Sequence, residues 1–86
     1  FNRPAIEDRI IRAGAYLGID GGFDGFRARI MALRADLAIP ESLTALGVEE
    51  SRLDELTAMA LEDPSCGGNP IPMMQENTRT LYQSCM

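Results

Sequence analysis

The stretch EDPSCGGNPIP, Glu62 to Pro72, carries three prolines and two glycines, and it constrains the fold of this chain more than any other feature. Proline has no amide hydrogen, and its ring pushes the preceding residue away from helical geometry, so Pro64 and Pro70 each stop a helix. The sequence on either side is helix-friendly. A rigid, irregular strap between helices is therefore expected near the C-terminal end of the chain. Such a strap is either a turn or one wall of a site.

The apolar pattern supplies the helices. From Arg3 to Leu17, Ile6, Ile10, Ala13 and Leu17 recur at four, three and four residues, with Asn2 placed to cap the first turn and Pro4 suited to it. Gly18 stands where a left-handed C-cap costs least. Phe23, Phe26, Ile30, Leu33 and Leu37 form a second stripe, expected to be a largely buried face against the first and fourth helices. In IPESLTALG, Pro40 opens a short third helix, Leu43 and Leu46 anchor it, and Gly47 closes it. Ser51 with Asp54 is a variant capping box for a fourth helix, with Leu53, Leu56 and Ala60 on its buried side and Met59 a further candidate. After the strap, Met74, Thr78, Leu81, Tyr82 and Cys85 share one side of a last helix. No run alternates as a strand would. The expected class is all-α, with about five helices.

Size and charge narrow the function. A chain of 86 residues buries only about 60–65% of its unfolded surface, which makes for one small domain or part of one. Its first residue is Phe1 and it shows no signal or transit segment, so we expect a chain whose start lies elsewhere. No apolar run approaches the roughly 20 residues that span a bilayer, which points to a soluble protein without a membrane partner. The net charge is −5, and all eight basic residues are arginines spread along the sequence. Nucleic-acid binding needs a concentrated basic face and is not expected. Cys66 and Cys85 permit one bridge at most, and with no secretory signal reduced thiols in a cytoplasm are expected. There is no histidine, so the commonest general base and the commonest transition-metal ligand are both absent.

Most candidate chemistry fails on spacing. DGGFDG, Asp20 to Gly25, is reminiscent of a calcium loop, but Gly22 and Met31 occupy the third and twelfth positions, where oxygen ligands are required. It reads as a flexible turn with Asp24 near a helix start. Glu7–Asp8, Glu49–Glu50 and Glu62–Asp63 are adjacent pairs, which diverge on a helix and do not present two acids to one substrate. CGG, Cys66 to Gly68, lacks the lysine and hydroxyl residue of a phosphate loop. No complete active site lies in this chain.

Taken in order, YLGI, ALRADLAIPESLTALGV, LTAMALEDPSCGGNPIP and ENTRTLYQSC resemble the C-terminal end of the iron-dependent (group III) alcohol dehydrogenases. The resemblance covers nearly the whole chain and rests on the order and spacing of the phrases. It implies that residues 1–86 are the C-terminal part of the helical domain of a larger two-domain enzyme, the nucleotide-binding domain lying outside this chain. Family members transfer hydride between NAD(P) and an alcohol or aldehyde, with a divalent iron polarising the substrate oxygen. The iron ligands, one aspartate and three histidines, precede the matched region. The resemblance thus implies iron and NAD(P) for the full-length protein, and neither cofactor, metal ligand nor catalytic residue in this chain. Its partners would be the remainder of the same polypeptide and further copies in a homo-oligomer.

In that family the strap runs beside the catalytic cleft, where many members read Asp-x-Cys before Asn-Pro. Asp63, Ser65, Asn69 and Pro70 match this pattern, so Ser65 takes the usual cysteine position and Cys66 is displaced by one. Ile71 stands where many members carry a basic residue. Ser65, Cys66 and Asn69 are the implied substrate-cleft lining, and as plain turn residues they are the alternative. A stand-alone helical interaction module, docking a partner on the stripe of the second helix, is the competing function.

Overall fold

The computed structural model describes residues 1–86. It is all-helical and has no strand. Four α-helices, α1 (Arg3–Tyr16), α2 (Gly22–Asp36), α3 (Leu53–Glu62) and α4 (Gln75–Gln83), alternate with 3-10 turns at Thr44–Leu46, Glu50–Arg52 and Pro64–Gly68. No helix is long and apolar enough to cross a membrane. The chain divides into two units, Phe1–Ile39 and Pro40–Met86.

The first unit is a pair of packed helices, α1 and α2. The Asn2 side chain does not bond the first amides of α1; its carbonyl accepts from Ala5 N at 3.0 Å instead. At the other end of α1, Gly18 takes the left-handed conformation (φ 70°). There Ile19 N donates to Gly14 O at 2.9 Å and Gly18 N to Ala15 O at 3.2 Å, a Schellman closure. The same bond pattern closes α2, where Ile39 N reaches Arg34 O and Ala38 N reaches Ala35 O, at 3.0 and 2.9 Å. Here the left-handed residue is Ala38 (φ 54°), whose Cβ makes that conformation costly.

The residues read as a flexible turn, Asp20 to Gly25, are mostly helix: α2 begins at Gly22. Gly25 is needed there, because a Cβ at that position would fall on the backbone carbonyl of Asp20. Asp24 and Glu7 share the guanidinium of Arg3, at 2.9 Å and 2.7 Å. The same guanidinium lies 4.6 Å from the centre of the Phe23 ring. All three charged side chains are exposed, so these pairs tie α1 to α2 at little net gain.

The second stripe is not the buried face that its spacing suggests. Phe23 and Phe26 are half-buried, whereas Ile30, Leu33 and Leu37 are exposed, Leu37 at 62%. The only buried residue of α1 and α2 is Gly14.

In the second unit α3 and α4 pack together. Leu53 is the one fully buried apolar side chain of the protein, and Thr57 beside it is equally enclosed. Burial of Thr57 is affordable because its hydroxyl donates to Leu53 O at 2.7 Å, within its own helix. Thr78 is the buried residue of α4. Leu56 and Ala60 are half-buried, as their positions suggest, but Met59 is 58% exposed.

The short third helix expected from Pro40 is a single 3-10 turn, Thr44–Leu46, so the count of α-helices is four. Just before the turn, the Ser42 Oγ accepts from Ala45 N at 3.1 Å. Leu46, expected to anchor it, is 63% exposed. Gly47 does close it, with Val48 N donating to Leu43 O at 3.0 Å. The Ser51 hydroxyl donates to Glu49 at 3.3 Å and makes no capping box; a 3-10 turn, Glu50–Arg52, leads into α3 instead.

Three substitutions report on these features by urea unfolding followed through helical circular dichroism. Ala38→Gly relieves the left-handed Cβ and is expected to stabilise by about 1 kcal/mol. Gly25→Ala should cost about 1–3 kcal/mol, as overpacking does. Leu53→Ala should cost about 2–5 kcal/mol. A neutral Gly25→Ala would mean that Asp20 and Gly25 do not meet in solution.

Candidate functional site

The strap starts where α3 ends. Asp63 leaves helical geometry (φ −71°, ψ 123°) and Pro64 takes the first position of the 3-10 turn, where a missing amide hydrogen costs nothing. The Asp63 carboxylate accepts from Ser65 N at 2.7 Å and from Ser65 Oγ at 2.5 Å. Cys66 N donates to Asp63 O and Asn69 N to Cys66 O, at 3.0 and 3.2 Å. Residues Pro64–Gly68 are therefore a capped turn of 3-10 helix rather than an irregular segment. The segment is irregular only from Asn69 onward. There the Asn69 amide nitrogen donates to Ile71 O at 2.6 Å and contacts Met73 Sδ at 3.3 Å. Asn77 carries the chain into α4: its Oδ1 accepts from Met74 N and its Nδ2 donates to Pro72 O, at 2.8 and 3.0 Å.

This strap, the end of α3 and one face of α4 enclose an open recess of about 530 Å³. Ser65, Cys66 and Asn69, the three residues implied by the family resemblance, all line it. Three further lining residues, Ala60, Met73 and Tyr82, were not assigned to a site by the sequence. Tyr82 had a signal, since it lies four residues after Thr78 and so shares its face. Met73 had none, because it falls outside every periodic run.

The chemistry of the recess is that of a wall. Ala60, Met73 and the Tyr82 ring supply apolar surface, and Ser65, Asn69 and Asp63 supply a polar rim. The Ser65 hydroxyl spends its proton on Asp63, so it meets a ligand as an acceptor. No arginine borders the recess, and no three Cys, Asp or Glu side chains gather as a metal-holding group anywhere in the chain. Cys66 is a free, half-buried thiol, and Cys85 is also free. Comparison of the chain with protein-family models, with curated proteins and with solved structures finds no match.

The Ser65 hydroxyl, and after it the Ser65 amide, hold the Asp63 carboxyl below the usual carboxylate range, against a smaller opposing effect of burial. A depressed folded pKa means that the cap adds stability above the ordinary unfolded value, near 3.9, and loses it as pH falls through the lower folded value. Carboxyl-carbon NMR should find the Asp63 midpoint below the usual carboxylate range. Ser65→Ala should raise it. An unchanged midpoint in Ser65→Ala would show that the hydroxyl bond is not populated.

Proposed function

We propose that residues 1–86 form the C-terminal helical part of an iron-dependent alcohol dehydrogenase. The full-length protein would transfer hydride between an alcohol or aldehyde and NAD(P), as a homo-oligomer in the cytoplasm. The observation that carries this reading is the ordered run of phrases from YLGI to ENTRTLYQSC, with Asp63, Ser65, Asn69 and Pro70 in the family's strap pattern. Two structural facts support it. Ser65, Cys66 and Asn69 share one recess, as a substrate-facing strap requires. Ile30, Leu33 and Leu37 stand exposed, as they would if the rest of a larger polypeptide covered them.

Iron, when bound in the intact enzyme, supplies a Lewis acid for the substrate oxygen. This chain has no histidine, so the resemblance assigns the iron ligands to another part of the polypeptide. Its part is to shape the substrate side. Pro64, Pro70 and Pro72 restrict the backbone, so the lining side chains are held in place with little ordering cost when substrate binds.

The same exposed stripe on α2 is what favours the second reading, a stand-alone module that docks a partner helix. Reading the parent gene upstream of Phe1 separates the two. An in-frame nucleotide-binding domain with an aspartate and three histidines supports the enzyme, and a start codon at that point supports the module.

Ser65→Leu in the intact enzyme should exclude bulky alcohols while sparing small ones and cofactor affinity. The expected shift in substrate ratio is roughly 10- to 200-fold, the range that methylene-sized clashes produce. An equal loss on every substrate, tracking a fall in thermal stability, would reduce the strap to a structural turn. The isolated 86-residue chain is expected to bind neither iron nor NAD tightly. Stoichiometric iron held at micromolar affinity would overturn the assignment of the metal ligands to another part of the protein.

A further inference from the structure

A second and smaller cavity of about 260 Å³ lies in the same unit and shares Ala60, Cys66, Met73 and Tyr82 with the recess. Its walls come from five places in the chain: Leu43 before the Thr44–Leu46 turn, Ala60 on α3, Cys66 on the strap, Met73 after it, and α4 with its C-terminal extension. That last wall comprises Thr78, Leu81, Tyr82 and Cys85. None of the eight lining residues is an acid or an arginine, in a chain where about one residue in four is charged.

We propose that this cavity binds a small, neutral aromatic molecule. Size, charge and wall chemistry each point to that class. An apolar cavity of about 150 Å³ accommodates benzene, so 260 Å³ suits roughly ten non-hydrogen atoms. A carboxylate or phosphate seated against these walls would lose hydration and find no cation there, so anions are disfavoured. Three of the eight lining residues, Cys66, Met73 and Cys85, carry sulfur and a fourth is a tyrosine. Sulfur packs favourably against aromatic ring edges, and the Tyr82 ring offers an aromatic partner. The protein does not fill the space itself, although Leu46, Met59 and Met74 of the same unit are spent on solvent. An unfilled apolar cavity forfeits dispersion contacts that a ligand restores. The proposal does not need the dehydrogenase reading, although four of the walls also border the recess.

Indole, with nine non-hydrogen atoms, is the probe. Methyl NMR spectra of the 86-residue chain should show saturable shifts at Leu43, Ala60, Met73 and Leu81, with a Kd on the order of 0.1–1 mM, ordinary for a ligand this small. Indole-3-acetate, the anionic relative, should bind at least about 10-fold more weakly, because its carboxylate finds no partner in the walls. Ala60→Phe and Leu43→Trp each put a larger side chain into the space from a different wall. Either one, in a variant whose circular dichroism matches the parent, should weaken indole by about 10-fold or more through loss of the volume it occupies. Shifts that climb without saturating, or that are largest at Ile30, Leu33 and Leu37, would overturn the proposal. So would equal binding of the anion, or undiminished indole binding in a folded Ala60→Phe.

Discussion

Scarcity of burial governs this protein. A single apolar side chain, Leu53, is fully enclosed, so hydrophobic contact cannot by itself hold the chain in one shape. Backbone bonds at the helix ends carry the definition instead. The closures at Gly18, Ala38 and Gly47 each use the same pair of amide-to-carbonyl bonds, and each turns the chain out of a helix at a fixed residue. The Asp63 cap does the equivalent for the strap. Units of about 40 residues lie near the lower limit for folding without disulfides, metals or association. Local bonding of this kind is what such short units have available.

What the sequence disclosed follows from that balance. Helix class, the stopping of α3 at the strap and the closures at Gly18 and Gly47 are local matters, set by proline, glycine and side-chain spacing, and all were legible. Burial was much less so. Periodicity identified Phe23, Phe26, Ile30, Leu33 and Leu37 as one face, but spacing says nothing about whether a partner covers that face, and the last three lie open. Met59 failed for the same reason. Thr57 was missed in the opposite sense: a polar residue reads as exposed until its hydroxyl is seen to bond its own helix. Ala38 in a left-handed cap has no sequence signal, since alanine favours the helix it here terminates.

The recess was partly legible. Ser65, Cys66 and Asn69 were singled out by the family resemblance, whereas Ala60, Met73 and Tyr82 join them only through the packing of α3 against α4. A strap can be read from its own residues. The surface that it faces depends on pairings distant in sequence, which local spacing does not encode.

The bonds from Leu43 N to Cys85 O and from Thr44 Oγ1 to Met86 O, at 2.8 and 3.0 Å, have a topological consequence. They close the second unit into a ring, holding Cys85 and Met86 beside Leu43 and Thr44. A segment whose two ends are bonded to each other unravels from neither end until those bonds break. Whatever pulls on the chain at Met86 pulls on Thr44 as well.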